Sequence, residues 1–197
     1  LYKYDHRNRC IAKKLPGCDW VLYVFDKADQ LIFSQDGEQR LKNEWAFNKY
    51  DTFGRIIISG IHETSDTHQA LTDKCKDIVV KEKPGGSYGY TWLCLPEISH
   101  LKTMTVNYYD DYDHLLAQEP RFRQLLDYFE NSAYGTRYIN PDLQMKTPKG
   151  QLVGTRIKYT DKTDSITGEI TTAMYYDNRG RLIQAKSINH LNGIEEE

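Results

Sequence analysis

Two stretches, Tyr50-Asp51-Thr52-Phe53-Gly54-Arg55-Ile56 and Tyr176-Asp177-Asn178-Arg179-Gly180-Arg181-Leu182, decide how this chain is read. In each, an aromatic residue precedes Asp, Gly stands three places after the Asp, Arg follows, and an aliphatic pair comes next. One backbone accounts for that order. A strand ends in the aromatic, Asp opens a type I turn, the third residue onward takes the left-handed conformation, and a second strand returns antiparallel. Asp suits the opening position because its carboxylate accepts from backbone N–H groups two residues on, and Gly, Asn or Asp adopts positive φ at least steric cost.

The same order occurs three more times in weaker form. Tyr4-Asp5 is followed by Asn8 and Arg9, Phe25-Asp26 by Asp29 and Gln30, and Tyr109-Asp110 by Asp113 and His114. Aliphatic or near-aliphatic pairs follow each: Cys10-Ile11, Leu31-Ile32 and Leu115-Leu116. Five units at irregular spacing imply a repeat array. The first three aspartates stand 21 and 25 residues apart, and the later gaps widen to 59 and 67, so two insertions interrupt the array.

The units at Tyr50 and Tyr176 resemble the YD repeat of RHS (rearrangement hotspot) and teneurin-like proteins, whose pattern is Tyr-Asp-x-x-Gly-Arg-Leu. The three degenerate units rest on turn physics more than on that motif. The stretch from Lys14 to Gly60 is similar to irregular repeats of long bacterial RHS-type surface proteins. The resemblance covers roughly half of the chain. It implies a long β-sheet that curls into a hollow shell, enclosing a C-terminal toxin in RHS proteins and forming a large extracellular body in related ones. It also implies a secreted or cell-surface setting.

The fold expected is therefore mainly β with a minor α contribution, an antiparallel hairpin and meander repeat forming a curved or wrapped sheet with two short inserted helices. Residues 1–61 hold three hairpin units, 62–100 a helix-plus-strand insertion, and 101–197 a continuation with a second helix and the last hairpin, all expected to form one structural domain. The first helix is capped by Ser65 or Thr67 and runs to about Val79, with Ala70, Leu71, Cys75, Ile78 and Val79 along one side. Lys83-Pro84-Gly85-Gly86-Ser87 breaks it, and Tyr88 to Leu95 alternates as a strand. Glu119-Pro120 opens the second helix, from Arg121 to about Asn131. Further turns are expected at Pro148-Lys149-Gly150 and from Asp161 to Gly168, with strands at Val153–Tyr159, Ile170–Tyr176 and Leu182–Ile188. The chain opens on Leu and stops where another strand should follow, so it reads as a piece of a longer protein. Open edge strands would then let two copies pair as a dimer.

Composition narrows the function. With 26 basic against 28 acidic residues and no basic run, the electrostatic footprint of a nucleic-acid binder is missing. No apolar run approaches the ~20 residues of a membrane-spanning helix. A mean hydropathy of -0.70 and 15 tyrosines suit strands with one wet face. Cys10, Cys18, Cys75 and Cys94 show no zinc-ligand spacing and read as buried free thiols, with a Cys10–Cys18 bridge across a hairpin as the alternative.

No recognisable catalytic constellation is present, so no enzyme activity and no cofactor are expected. The cluster Asp110-Asp111-Tyr112-Asp113-His114 is the densest polar run, and turn chemistry already uses two of its aspartates, so no metal is assigned there. The histidines are scattered; His62 and His68 are six apart and at least one is expected in a loop. Trp20, Trp45 and Trp92 are the candidates for a glycan-binding platform, against the reading that they fill the sheet face. The function expected is non-enzymatic and structural: strands contributed to a β-shell, with neighbouring repeats of the parent chain as partners and a C-terminal toxin or a surface glycan as further candidates. The alternatives are a carbohydrate-binding surface module and, remotely, a glycoside or other hydrolase.

Overall fold

Period-two burial marks the strands. Along Glu44–Tyr50, Trp45, Phe47 and Lys49 point inward while Glu44, Ala46 and Asn48 are half-buried, the pattern of a pleated ribbon with one face in the core. The computed structural model describes residues 1–92, 101–116, 148–161, 165–188 and 194–196. Its chain divides into two compact units, Leu1–Lys83 with Tyr90–Met104, and Pro84–Gly89 with Thr105–Glu197.

In the first unit the strands are β1 (Tyr2–Tyr4), β2 (Cys10–Lys13), β3 (Val21–Phe25), β4 (Leu31–Gln35), β5 (Glu44–Tyr50) and β6 (Ile56–Glu63). Each is antiparallel to the one before it, so the unit is a meander in chain order. One row of its core runs straight across the strands: Val24 lies opposite Phe33, Phe33 opposite Phe47, and Phe47 opposite Gly60. Val24, Phe33 and Phe47 are all buried, and full burial of each such side chain stabilises by about 1.5–3 kcal/mol. Gly60 completes the row because a β-carbon there would collide with the Lys102 carbonyl and lie 2.8 Å from Phe47 Cε1.

Two helices interrupt this meander. α1 (Gly37–Leu41) is short, with a capping box in which Asp36 accepts from Gln39 N and the Gln39 side chain accepts from Asp36 N. Nothing in the hydrophobic pattern announces it, since Asp36-Gly37 reads as a turn. α2 (His68–Cys75) is capped by Thr67 and buries Leu71 and Cys75. It ends well before Val79, which corrects the length expected from the sequence. The reason lies in the backbone beyond it, whose polar groups bond to the turn after β3 and to β5: Lys27 N donates to Ile78 O at 2.8 Å and Glu82 N to Tyr50 O at 2.8 Å. His62 lies in β6 and His68 opens α2, so neither occupies a loop.

The second unit continues the same style. β7 (Leu101–Tyr109), whose first four residues belong with the first unit, is followed by α3 (Asp113–Leu116), β8 (Leu152–Thr160), β9 (Ile166–Tyr176), β10 (Leu182–Ile188) and β11 (Ile194–Glu196). From Thr105 onward each strand again pairs antiparallel with its successor. Buried Tyr108, Gly154 and Ala173 form a cross-strand row, and Leu115 of α3 rests on it where a β-carbon at Gly154 would sit 2.6 Å from Leu115 Cδ2. The fold is mainly β and antiparallel, with short helices. No helix among the described residues is long and apolar enough to cross a membrane.

Two further expectations change. Tyr88 does not begin a strand: Ser87–Gly89 is a single 3-10 turn, Tyr88 has φ 60°, and Gly85, Gly86 and Gly89 all have positive φ, which breaks the alternation. Leu93–Leu95 and the second expected helix, Arg121–Asn131, lie outside the described residues. Cys10, Cys18 and Cys75 form no disulfide, so the Cys10–Cys18 bridge is absent; Cys75 is buried but Cys18 is exposed.

Candidate functional site

Four of the five turns share one hydrogen-bond pattern. The N–H of Asp5, Asp26, Asp51 and Asp177 donates to the carbonyl four residues on, at 3.0, 3.0, 3.0 and 2.9 Å. The carbonyl of each Asp accepts from the residue three places on, and those residues, Asn8, Asp29, Gly54 and Gly180, have φ of 59°, 63°, 81° and 72°. One carboxylate oxygen, Oδ1, accepts two backbone N–H groups: Arg7 and Arg9 for Asp5, Ala28 and Gln30 for Asp26, Phe53 and Arg55 for Asp51, Arg179 and Arg181 for Asp177. A register shift beside each turn sets the aromatic opposite the residue six places later: Tyr4 with Cys10, Phe25 with Leu31, Tyr50 with Ile56, Tyr176 with Leu182.

The second carboxylate oxygen gives the Arg of the motif its job. Arg9 Nε donates to Asp5 Oδ2 at 2.7 Å, Arg55 Nε to Asp51 Oδ2 at 2.6 Å, and Arg181 Nε to Asp177 Oδ2 at 2.7 Å. Where Gln30 stands in place of Arg, the backbone N–H of Val80 donates to Asp26 Oδ2 at 2.9 Å. The fully buried Asp26 carboxylate is thus satisfied by a segment 54 residues away. Sequence reasoning missed both partners, though the recurrence of Arg at a fixed place was a usable signal. Burial works against the Asp5 carboxylate, but the Arg9 and Arg7 hydrogen bonds outweigh it and hold the acid below its ordinary range. The Arg181 backbone and guanidinium do the same for Asp177.

Neighbouring turns touch each other. Tyr50 Oη donates to Leu31 O and Tyr176 Oη to Leu152 O, each at 2.7 Å, so the motif tyrosine fastens its hairpin to the one before; burial raises both phenol pKa values. Arg9 Nη1 reaches the Asp26 carbonyl and the Asp29 carboxylate, both at 2.9 Å.

The fourth turn departs from expectation. Asp113 is not its left-handed residue: it opens α3, and Asp110 itself has φ 74°. The turn closes with residues 40 positions on. Gly150 N donates to Asp110 Oδ1 at 2.7 Å, Asp110 N to Gln151 O at 3.2 Å, and Tyr109 pairs with Leu152. A related turn that the sequence reading placed too broadly is made by Asp161 and Ser165, with Asp161 N on Ser165 O at 3.0 Å and Ser165 N on Asp161 Oδ1 at 3.1 Å.

Other polar groups form pairs. Lys49 Nζ lies 2.8 Å from Glu82 Oε1 with both side chains buried, Thr91 Oγ1 donates to Glu82 Oε2 at 2.7 Å, and Lys49 Nζ lies 4.2 Å from the Trp92 ring centroid. In the second unit Arg156 Nη2 contacts both Glu169 oxygens at 2.6 and 2.9 Å, and Lys158 Nζ donates to Tyr88 Oη at 2.7 Å. Asp111 Oδ1 accepts from Asp113 N. Such pairs consume charge locally. Burial pushes the Cys75 thiol up to about 12, which keeps it protonated and inert.

The three tryptophans do not share an exposed face. Trp45 is 1% exposed and its ring lies parallel to that of His68 at 6.2 Å, so it presents nothing to a sugar. Trp20 and Trp92 are half-buried, and Trp20 has Lys3 Nζ 4.7 Å from its ring centroid.

No family model matches the chain, and no curated protein matches it. Among solved structures, one titled "Crystal Structure of TcdB2-TccC3-TEV" aligns with 98% of this chain at 11% identity and a TM-score of 0.27. This chain spans 9% of that one.

Proposed function

We propose that this chain is a non-enzymatic structural segment of a large bacterial surface or secreted YD-repeat protein, adding strands to a β-shell of the toxin-enclosing or cell-surface type. The observation that carries the reading is the recurrence of one turn, hydrogen bond for hydrogen bond, at Asp5, Asp26, Asp51 and Asp177. A loop conserved in geometry but varied in its outward side chains is built to hold shape. Each Asp sets the register of its hairpin, and the tyrosine hydroxyls and Arg9 link one hairpin to the next. Neighbouring repeats of the parent chain are the partners this requires.

The test pairs stability with binding. The chain is screened on a glycan array and against a panel of glycoside substrates, with Trp20→Ala as the control. Neither retention nor turnover is expected, while substitution of the turn aspartates lowers the urea midpoint. Specific glycan retention abolished by Trp20→Ala would replace the structural reading with a binding one.

A further inference from the structure

Two halves of the fourth turn, far apart in sequence, reproduce what a continuous turn does. Tyr109 pairs with Leu152 across a register shift, as Tyr50 does with Ile56. Gly150, with φ 83°, supplies the left-handed residue, and its N–H binds the Asp110 carboxylate where Gly54 N and Gly180 N bind the carbonyl of their Asp. The contacts to the following hairpin are also those of an unbroken turn. Leu152 O accepts the Tyr176 hydroxyl as Leu31 O accepts that of Tyr50. Gln151 Nε2 would lie 3.3 Å from a β-carbon on Gly180, as Gln30 Nε2 would lie 3.4 Å from one on Gly54. If residue 110 were joined directly to 148, the sequence would read Tyr109-Asp110-Pro148-Lys149-Gly150-Gln151-Leu152. That is an aromatic-Asp unit with two spacer residues, Gly and an aliphatic in their ordinary places, and Pro immediately after Asp suits a type I turn.

We propose that the fourth turn is an insertion port: Asp110 and Pro148–Leu152 close one hairpin turn between them, so the array tolerates a change in the length of chain between Leu116 and Pro148. The inference rests on the structural reading of the repeat and adds where that array accepts extra sequence. Loop ends tolerate insertion because lengthening a closed loop costs little chain entropy once its ends are held together, and here Asp110 and Gly150 hold them. The insertion also leaves a mark on its host. Asp110 is pulled to positive φ, and Gln151 N turns to Pro148 O, whereas the equivalent N–H groups elsewhere bind the aspartate carboxylate.

The experiment removes residues 111–147 from the full chain and follows urea unfolding by circular dichroism. Tyr112 and Leu115 pack in the second unit, Tyr112 with its ring 5.3 Å from that of Tyr175, so a second variant keeps Asp111–Leu116 and replaces only 117–147 with a Gly-Ser linker. At least one variant is expected to keep the β spectrum and a single cooperative transition. In that background Asp110→Ala should cut the folded-to-unfolded ratio about tenfold or more, the loss expected for removing hydrogen bonds to a carboxylate. Absence of cooperative unfolding in both variants, or an Asp110→Ala midpoint equal to that of its parent, overturns the port. Glycan binding or turnover by the whole chain would instead overturn the structural reading, so the two failures are separable.

Discussion

Asp51→Ala is the sharpest test of the turn chemistry. The Asp51 carboxylate accepts Phe53 N at 2.8 Å, Arg55 N at 2.9 Å and Arg55 Nε at 2.6 Å. A hydrogen bond to a charged group contributes about 1.5–3 kcal/mol net when buried. The Arg55 side chain is 24% exposed, so screening by water discounts its share. Freed backbone N–H groups at a surface turn recover part of the loss by binding water. The sum expected is a destabilisation of about 2–4 kcal/mol. Asp51→Asn keeps an acceptor for the two backbone N–H groups but puts an NH2 donor where Oδ2 accepted from Arg55 Nε, so it loses the charge and that one bond and should cost about 1–2 kcal/mol. Urea unfolding of wild type and both variants reads these differences as midpoint shifts at constant slope. An Ala variant as stable as wild type, or an Asn variant as damaged as the Ala one, would refute the assignment of the stabilisation to the carboxylate.

Other expectations follow from single contacts. Lys49→Met removes the ammonium 2.8 Å from the buried Glu82 carboxylate and should cost about 3–5 kcal/mol, whereas Lys49→Met with Glu82→Leu should recover most of that; additive losses in thermal melts would argue against a desolvated pair. Tyr50→Phe removes one hydroxyl bond to the Leu31 carbonyl and should destabilise by about 1 kcal/mol, measured by urea midpoint. Acid should unfold the chain through its depressed carboxyls. Asp5, Asp177 and Asp66, the last held down chiefly by Lys74, have folded-state values below the ordinary 3.8. Their contribution is therefore complete above that value and is lost as pH falls through the folded values. Stability that stays flat between pH 5 and pH 2 in urea titrations would contradict it.

How much of this was legible depends on distance along the chain. The hairpins around Asp5, Asp26, Asp51 and Asp177 could be located from residues alone, because a turn is closed by partners at most six positions apart and each residue type acts through its own backbone preference. β10 fell at Leu182–Ile188 as the pattern indicated, and Thr67 capped α2. The reading failed at Asp113, where the local order of residues suggested a turn that a more distant Gly150 actually completes. It failed at Tyr88 because three neighbouring glycines with positive φ overrode an alternating pattern.

Local chemistry in the sequence thus determines the reversals at Asp5, Asp26, Asp51 and Asp177 and the pairing of the strands that flank them, since those choices are settled within a few residues. Tertiary structure alone decided that Val80 replaces an arginine at Asp26, that Glu82 neutralises Lys49, and that residues 110 and 150 belong to one turn. Those contacts join positions 33 to 54 residues apart. No periodicity encodes them, because they arise only when a buried polar group, already placed by its own strand, must find a partner from whatever the folded chain brings beside it.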